Sequence, residues 1–389
     1  MISDEHYPHN GADTVVVINT AAALGAAGAD VTLVTPKLWW RHKSDEAVMT
    51  HYGVAPTFTL TRLKSWLPTG RTLRLEKLGH GLLAPLFARR SRFDMIHSRD
   101  LIPLLLAQGI GLPWSFETYR RHAEEKPLLP RLTRRLGLER SIGAVAHSPA
   151  SAEDLVRVGF DEAQVLVARP GIDPDRFTPA LTRSAARELI GMETDRPLVV
   201  YVGNVGPAKG TDEMTDLAAR LPQVDFLLVG GTPEAVAALN DELRKNRIRN
   251  VILAGYRPPG ELSRYLFAAD VLFMPAIFRN AHAESFAGLL PIQPLPGTPL
   301  KLYSYLAAGR PIVSADQTIT RDLLTHEKDA LLVPPRDGEK TAEAINRILD
   351  NEVLAKRLSK TARKEAADYT WEKRGIRMLE FFERRLSAR

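Results

Sequence analysis

The chain has no cysteine among its 389 residues. That absence excludes disulfides, thiolate metal sites and cysteine nucleophiles, and it fits a reducing compartment such as the cytoplasm. A long apolar run is missing as well. The most hydrophobic N-terminal stretch, 14–34, contains Asn19, Thr20 and Asp30 and has no basic leader, so neither a spanning helix nor a signal peptide is predicted. Internal repeats and low-complexity tracts are also lacking, which excludes a solenoid and argues against disorder. What is present is the composition of an ordinary soluble protein, 44% hydrophobic and 25% charged. At this length two domains of about 150–200 residues each are expected.

Charge is unevenly distributed. The net charge is +6, but residues 37–140 alone hold 19 Lys and Arg against 9 Asp and Glu, leaving the remainder acidic. A basic lobe suits a phosphorylated lipid carrier, an anionic membrane surface or nucleic acid, or it simply solubilises the surface. No stacking-aromatic motif or basic module accompanies the charge, so nucleic acid is not expected as a partner.

Short apolar runs alternate with stretches of helical period, the pattern of a parallel sheet covered by helices on both faces. Strands are predicted at 30–35, 95–97, 114–116 and 143–146 in the first half. In the second half they fall at 198–202, 225–229, 251–254, 271–274, 311–314 and 330–333. This predicts an α/β protein of two doubly wound domains, with a seam near 169–174 where two prolines and a glycine interrupt both periods. Only Met1, Ile2 and Ser3 precede the first loop, so the usual central strand is nearly absent and a start further upstream is expected. The last helix, from about Trp371 to Leu386, offers Ile376, Leu379, Phe382 and Leu386 as one apolar face.

Two stretches carry chemistry. Strand 198–202 empties into GNVGPAKG (203–210), a turn in which backbone amides can approach a ligand and the following helix start attracts phosphate, with Lys209 as cation. The spacing fits neither the P-loop nor the dinucleotide fingerprint, and an ordinary strand-helix turn remains open. The second stretch is GTPLKLYSYLAAGRPIV (297–313). Thr298 is a good N-cap, Pro299 belongs at the first helical position, and Gly309 ends the helix. Lys301 in the first turn opposes the helix dipole, an arrangement that makes sense around a bound anion. A capped scaffold helix with an exposed lysine is the plainer account.

Taken in order, 203–210, FLLVGG (226–231), Gly255-Tyr256, YLFAADV (265–271), TPLK (298–301) through Pro311, and YTW (369–371) resemble the retaining glycosyltransferases of the GT-B fold, family-4 type. The resemblance implies two Rossmann-like domains facing a cleft: 1–172 for the acceptor, 173–368 for a nucleotide-diphosphate sugar, and 369–389 as a helix crossing back to the first. It implies no metal or other cofactor, because lysines and helix-end amides neutralise the departing diphosphate. Lys209 and Lys301 are then the catalytic residues. Gly203, Asn204, Gly210, Gly230, Tyr256, Thr298, Pro299, Leu300 and Ser304 are donor-binding, with Tyr256 near the base. On the acceptor side the resemblance points to Asn10, Gly11, His97, Arg99, Glu117 and Tyr119. The acceptor class is a sugar, a lipid-linked saccharide or a small molecule, in glycolipid or surface-polysaccharide synthesis.

Three positions depart from that pattern. Asn204 stands where arginine is common, and Ser304 where a glutamate contacts the ribose. Tyr119 replaces a histidine, and a phenol is a poor base at neutral pH. These departures keep open a catalytically silent relative that binds nucleotide-sugar or a partner enzyme. Arg120, Arg121 and His122 can meet an acceptor phosphate, Glu284 can replace a missing sugar-contacting acid, and His282 with Glu284 lacks the third ligand of a metal site. Tryptophan beside arginine in 38–43, Trp66-Leu67, and 82–87 followed by Arg89 and Arg90 suits a peripheral contact on the inner face of the membrane.

Overall fold

A parallel strand covered on both faces must be apolar along its whole length. In the computed structural model, which describes residues 1–9, 11–37, 43–64, 75–119, 138–192, 194–206, 209–277, 284–286, 290–292 and 299–389, each of the ten predicted runs forms a strand. The strands are β1 (Thr32–Lys37), β2 (Thr59–Lys64), β3 (Ile96–Ser98), β4 (Trp114–Thr118), β5 (Ser141–Ala146), β6 (Val165–Val167), β7 (Leu198–Val202), β8 (Asp225–Val229), β9 (Val251–Gly255), β10 (Val271–Met274), β11 (Glu284–Phe286), β12 (Leu290–Ile292), β13 (Ile312–Ala315) and β14 (Leu331–Val333). β2, β6 and the antiparallel pair β11 and β12 were not anticipated.

The chain divides into two compact units. The first takes Met1–Gly171 and Trp371–Arg389, together with the β11 and β12 hairpin; the second takes Ile172–Ala281 and Thr298–Thr370. In the first unit β1 pairs with β2, and β3, β4, β5 and β6 form a parallel sheet in that order. Ile2 makes parallel bridges to Val34 on one side and Ser98 on the other, so it links β1 and β3 across the middle of the sheet. Ile2 N donates to His97 O at 2.9 Å and Ser3 N to Val34 O at 3.0 Å.

The last helix, Trp371–Ser387, packs on helix Ala12–Ala26, and its small Gly375 permits the approach: a Cβ there would lie 2.4 Å from the Ala23 carbonyl oxygen. Its buried face is Arg374, Gly375, Met378, Phe381 and Phe382. This corrects the predicted face. Leu379, Phe382 and Leu386 do join the core, but Ile376 is 42% exposed because the glycine contact turns the helix about its axis.

The second unit holds six parallel strands in the order β14-β13-β10-β7-β8-β9. Alternate residues of β7 feed opposite cores, Leu198, Val200 and Val202 to one and Val199 and Tyr201 to the other. The chain winds outward from β7 through β8 to β9, then returns to β10 on the other flank. The switch point, where ligands bind in open α/β sheets, therefore lies between the carboxyl ends of β7 and β10.

Candidate functional site

Glycines make the switch point a place of close approach. Gly203 leaves β7 with φ +150°, and a Cβ on it would sit 2.9 Å from the Tyr201 Oη and directly on the Lys301 ammonium. A Cβ on Gly230, at the end of β8, would collide with the Gly203 carbonyl. Gly210 takes the left-handed conformation (φ +71°) and caps helix Thr211–Arg220 while its Cα packs on Pro275 and Ala276 beyond β10. Glu213 in the first turn of that helix accepts from Ala276 N at 3.2 Å, and burial pushes its carboxyl up to about 7. The other side of the same loop is held by Gln317, which accepts from Ile277 N at 2.9 Å and donates to Ile277 O at 3.0 Å.

Lys301 reaches into this crevice from helix Leu300–Ala308. Its ammonium stands 3.9 Å from the centre of the Tyr201 ring, against Gly203. Burial, reinforced by the positive charge of Lys209, holds its pKa well below the usual lysine range. The two ammonium groups are thus within Coulombic reach of each other, and burial lowers Lys209 as well. Like charges this close disfavour each other's charged form, as the lowered pKa of Lys301 reflects. The helix starts one residue later than predicted: Pro299 is its cap, with extended ψ of 125°, so Leu300 and Lys301 are the first two helical residues and their amides point out of the helix start. Gly309 ends it in the left-handed conformation, φ +58°. Asn204 is exposed and accepts through its carbonyl from Tyr201 Oη at 2.8 Å. Ser304 is partly buried on the same helix, and Tyr256 follows β9 with 40% of its surface exposed.

In the first unit the strand ends of β3, β4 and β5 bring a different group together. Glu117 in β4 is buried, accepts from His97 Nε2 at 2.8 Å and His147 Nε2 at 2.7 Å, and forms an ion pair with Arg374 at 3.0 Å. Burial would raise the Glu117 carboxyl, but the Arg374 charge and the two imidazoles hold it well below the usual carboxylate range. Burial pushes His147 down to about 4 and lowers His97, so both rings are neutral and donate. Arg374 also donates to Thr20 Oγ1 at 3.2 Å and to Ala168 O. Arg99, just beyond β3, lies over the Tyr119 ring at 4.9 Å and pairs with Asp13 at 2.9 Å. Asp13 sits in the first turn of helix Ala12–Ala26, which Gly11 caps without a side chain.

His97 and Glu117 therefore support the strand ends from beneath, whereas Arg99 and Tyr119 are partly exposed above them. Asn10, Thr298, His282, Arg120, Arg121, His122, residues 38–42 and Trp66-Leu67 lie outside the described residues, as does the side chain of Glu284. Among the described residues no three His, Asp or Glu side chains are grouped to hold a metal ion. Sequence reasoning missed Arg374, His147, Tyr201 and Tyr305. The one available signal was Arg374, a charge at an apolar phase of an otherwise amphipathic helix.

These two Rossmann-like units, with glycine turns and paired lysines at a switch point, define a GT-B glycosyltransferase architecture. The chain belongs to the group 1 glycosyltransferases: the family model described as glycosyl transferases group 1 matches residues 183–365, and that of glycosyltransferase family 4 matches residues 11–176. It is similar to the D-inositol 3-phosphate glycosyltransferase of Xylanimonas cellulosilytica, 30% identical over 251 residues, 61% of this chain and 56% of that one. The protein of the same name from Nocardia farcinica is 29% identical over 311 residues, 75% of this chain and 62% of its own. The match thus spans less than two thirds of the length of these curated relatives. Among solved structures, sucrose-phosphate synthase from Thermosynechococcus elongatus superposes with a TM-score of 0.78 at 21% identity, covering 100% of this chain and 98% of that one. Anabaena HepE in complex with UDP and glucose gives 0.74 at 15%, covering 98% of each.

Proposed function

We propose that this protein transfers a hexosyl group from a nucleotide-diphosphate sugar to a saccharide, a lipid-linked saccharide or a small polyol phosphate, with retention at the anomeric carbon. The observation that carries the reading is the placement of Lys301 on Gly203, within Coulombic reach of Lys209, at the switch point. As the bond between the anomeric carbon and the diphosphate oxygen breaks, negative charge grows on the leaving group. Two lysines and the helix-start amides then meet that charge without a metal. Kinship with inositol-phosphate glycosyltransferases and the UDP found in HepE support a UDP-sugar donor and a polyol phosphate among the acceptors. Arg99 and Tyr119 are the side chains we assign to that acceptor.

Calorimetry with UDP, GDP and ADP, followed by NMR of the product's anomeric configuration, tests the assignment. Binding of at least one nucleotide and a product that keeps the donor's configuration are expected. Failure to bind any of the three overturns the reading, and binding without turnover across an acceptor panel favours a silent relative instead.

For location we propose the cytoplasm, with peripheral contact on an anionic bilayer through helix Leu75–Arg90. Leu82 and Leu86 are 38% and 48% exposed, and Arg90 and Arg92 follow in the open. None of the helices of the described residues is long and apolar enough to cross a membrane. Leu82→Ser with Leu86→Ser is expected to lower co-flotation with phosphatidylglycerol vesicles severalfold. Equal flotation of the double variant removes this surface from the account.

A further inference from the structure

The two strands that flank the switch point stop pairing early. β7 and β10 are in register only at Val199 with Val271 and Val200 with Leu272. Further along, a side chain takes the place of the ladder: Val202 N donates to Tyr305 Oη at 3.0 Å, and Tyr305 Oη donates to Phe273 O at 3.2 Å. The phenol is a buried wedge that satisfies both strands while holding them apart. Tyr305 lies on the same helix as Lys301, four residues on, and so on the same face. The second phenol, Tyr201, is also fully buried. Its ring carries the Lys301 ammonium, and its hydroxyl, bonded to Asn204 O, fixes the turn after Gly203.

We infer that Tyr305 and Tyr201 are positioning residues for the diphosphate site: Tyr305 docks the helix onto the parted ends of β7 and β10, and Tyr201 is the platform that aims Lys301 at Gly203. Asn204 supplies no charge at the turn, so the second cation comes from a neighbouring element and its aim depends on how that element is docked. Neither phenol touches the ligand. The inference rests on the diphosphate reading above and goes beyond it by assigning residues that act through Lys301.

The test is a double-mutant cycle on the full chain, with UDP as the probe. Tyr305→Phe keeps the ring and removes the wedge's hydrogen bonds. It is expected to weaken UDP binding about tenfold, the size of one lost polar or cation–π contact, and to lower kcat more than it raises the donor KM, as loss of Lys301 itself does. In a Lys301→Met background the same substitution is expected to change UDP affinity less than twofold, because there is no ammonium left to aim. Tyr303→Phe, on the same helix with its ring against Tyr369, is the matched control and should leave binding unchanged. If Tyr305→Phe does not fold, Tyr201→Leu enters the same cycle with the same expectation. A tenfold loss that persists in the Lys301→Met background overturns the inference, as does unaltered binding in both single variants. If the wild-type protein binds no UDP, the donor assignment itself fails, a result distinct from either.

Discussion

Replacing Lys301 with methionine is expected to lower kcat about 100- to 1,000-fold, the usual loss when one group that stabilises developing negative charge is removed. The fold should not suffer. Lys301 is not the solvated lysine that its first-turn position suggests: it lies partly buried on an aromatic ring with a second cation close by, and both features disfavour its charge. The sign follows from linkage. A lysine whose pKa falls on folding binds fewer protons in the native state than in the unfolded one, so stability rises as pH climbs toward the ordinary value of 10.5. Lys301→Met removes that group from both states. Its melting temperature at pH 7 is expected to equal or exceed that of the wild type, and the rise in stability on the alkaline side should flatten. Turnover within tenfold of the wild type would remove Lys301 from the chemistry, and a large drop in melting temperature would make it a structural residue.

The largest effect on stability is expected at Glu117. Glu117→Gln leaves the Arg374 guanidinium buried beside two neutral imidazoles without its counter-charge, a type of change that costs about 3–5 kcal/mol. The companion Arg374→Met should restore much of that loss when combined with Glu117→Gln, since a buried ion pair replaced as a whole by uncharged groups is often neutral. Acid adds a second signature. His147 is pushed down to about 4 in the folded protein, so between the ordinary histidine value of 6.5 and about 4 the unfolded chain binds a proton the native one refuses. Stability is therefore expected to fall with decreasing pH through that window, by about 1.4 kcal/mol per unit for each such group. Glu117, held low, adds its own loss only at more acidic pH. Urea midpoints across pH 4 to 7 check this: His147→Asn should lose one proton's worth of slope. A midpoint indifferent to pH in the wild type would contradict the neutral, buried imidazoles.

The parallel core strands were legible because burial on both faces writes them as unbroken apolar runs, as in LVVYV of β7 and DFLLV of β8. β2, TLTRLK, escaped notice because it borders the sheet and only Leu60 is fully buried, so its residues carry neither a continuous run nor a clean alternation. β6 is three residues long and gives no period at all. At the candidate site, the glycine turn and both lysines could be singled out, since backbone freedom and lone cations in helix starts are local properties. The phenols were not legible. Tyr201 and Tyr305 read as ordinary core aromatics, and only the early end of the β7–β10 pairing gives their hydroxyls a task. The phase of Arg374 in its helix hinted at burial but not at what it meets: its partner Glu117 lies far off in the chain, and nothing local marks either as half of a pair.

That separation in sequence bears on how the protein is made. The first unit leaves the ribosome early, yet the guanidinium that neutralises Glu117 arrives only with Trp371–Ser387, after the entire second unit has been synthesised. Until then Glu117 lacks its guanidinium partner, and helix Ala12–Ala26 lacks the helix that packs on it. The half of the protein translated first is thus the last to be finished.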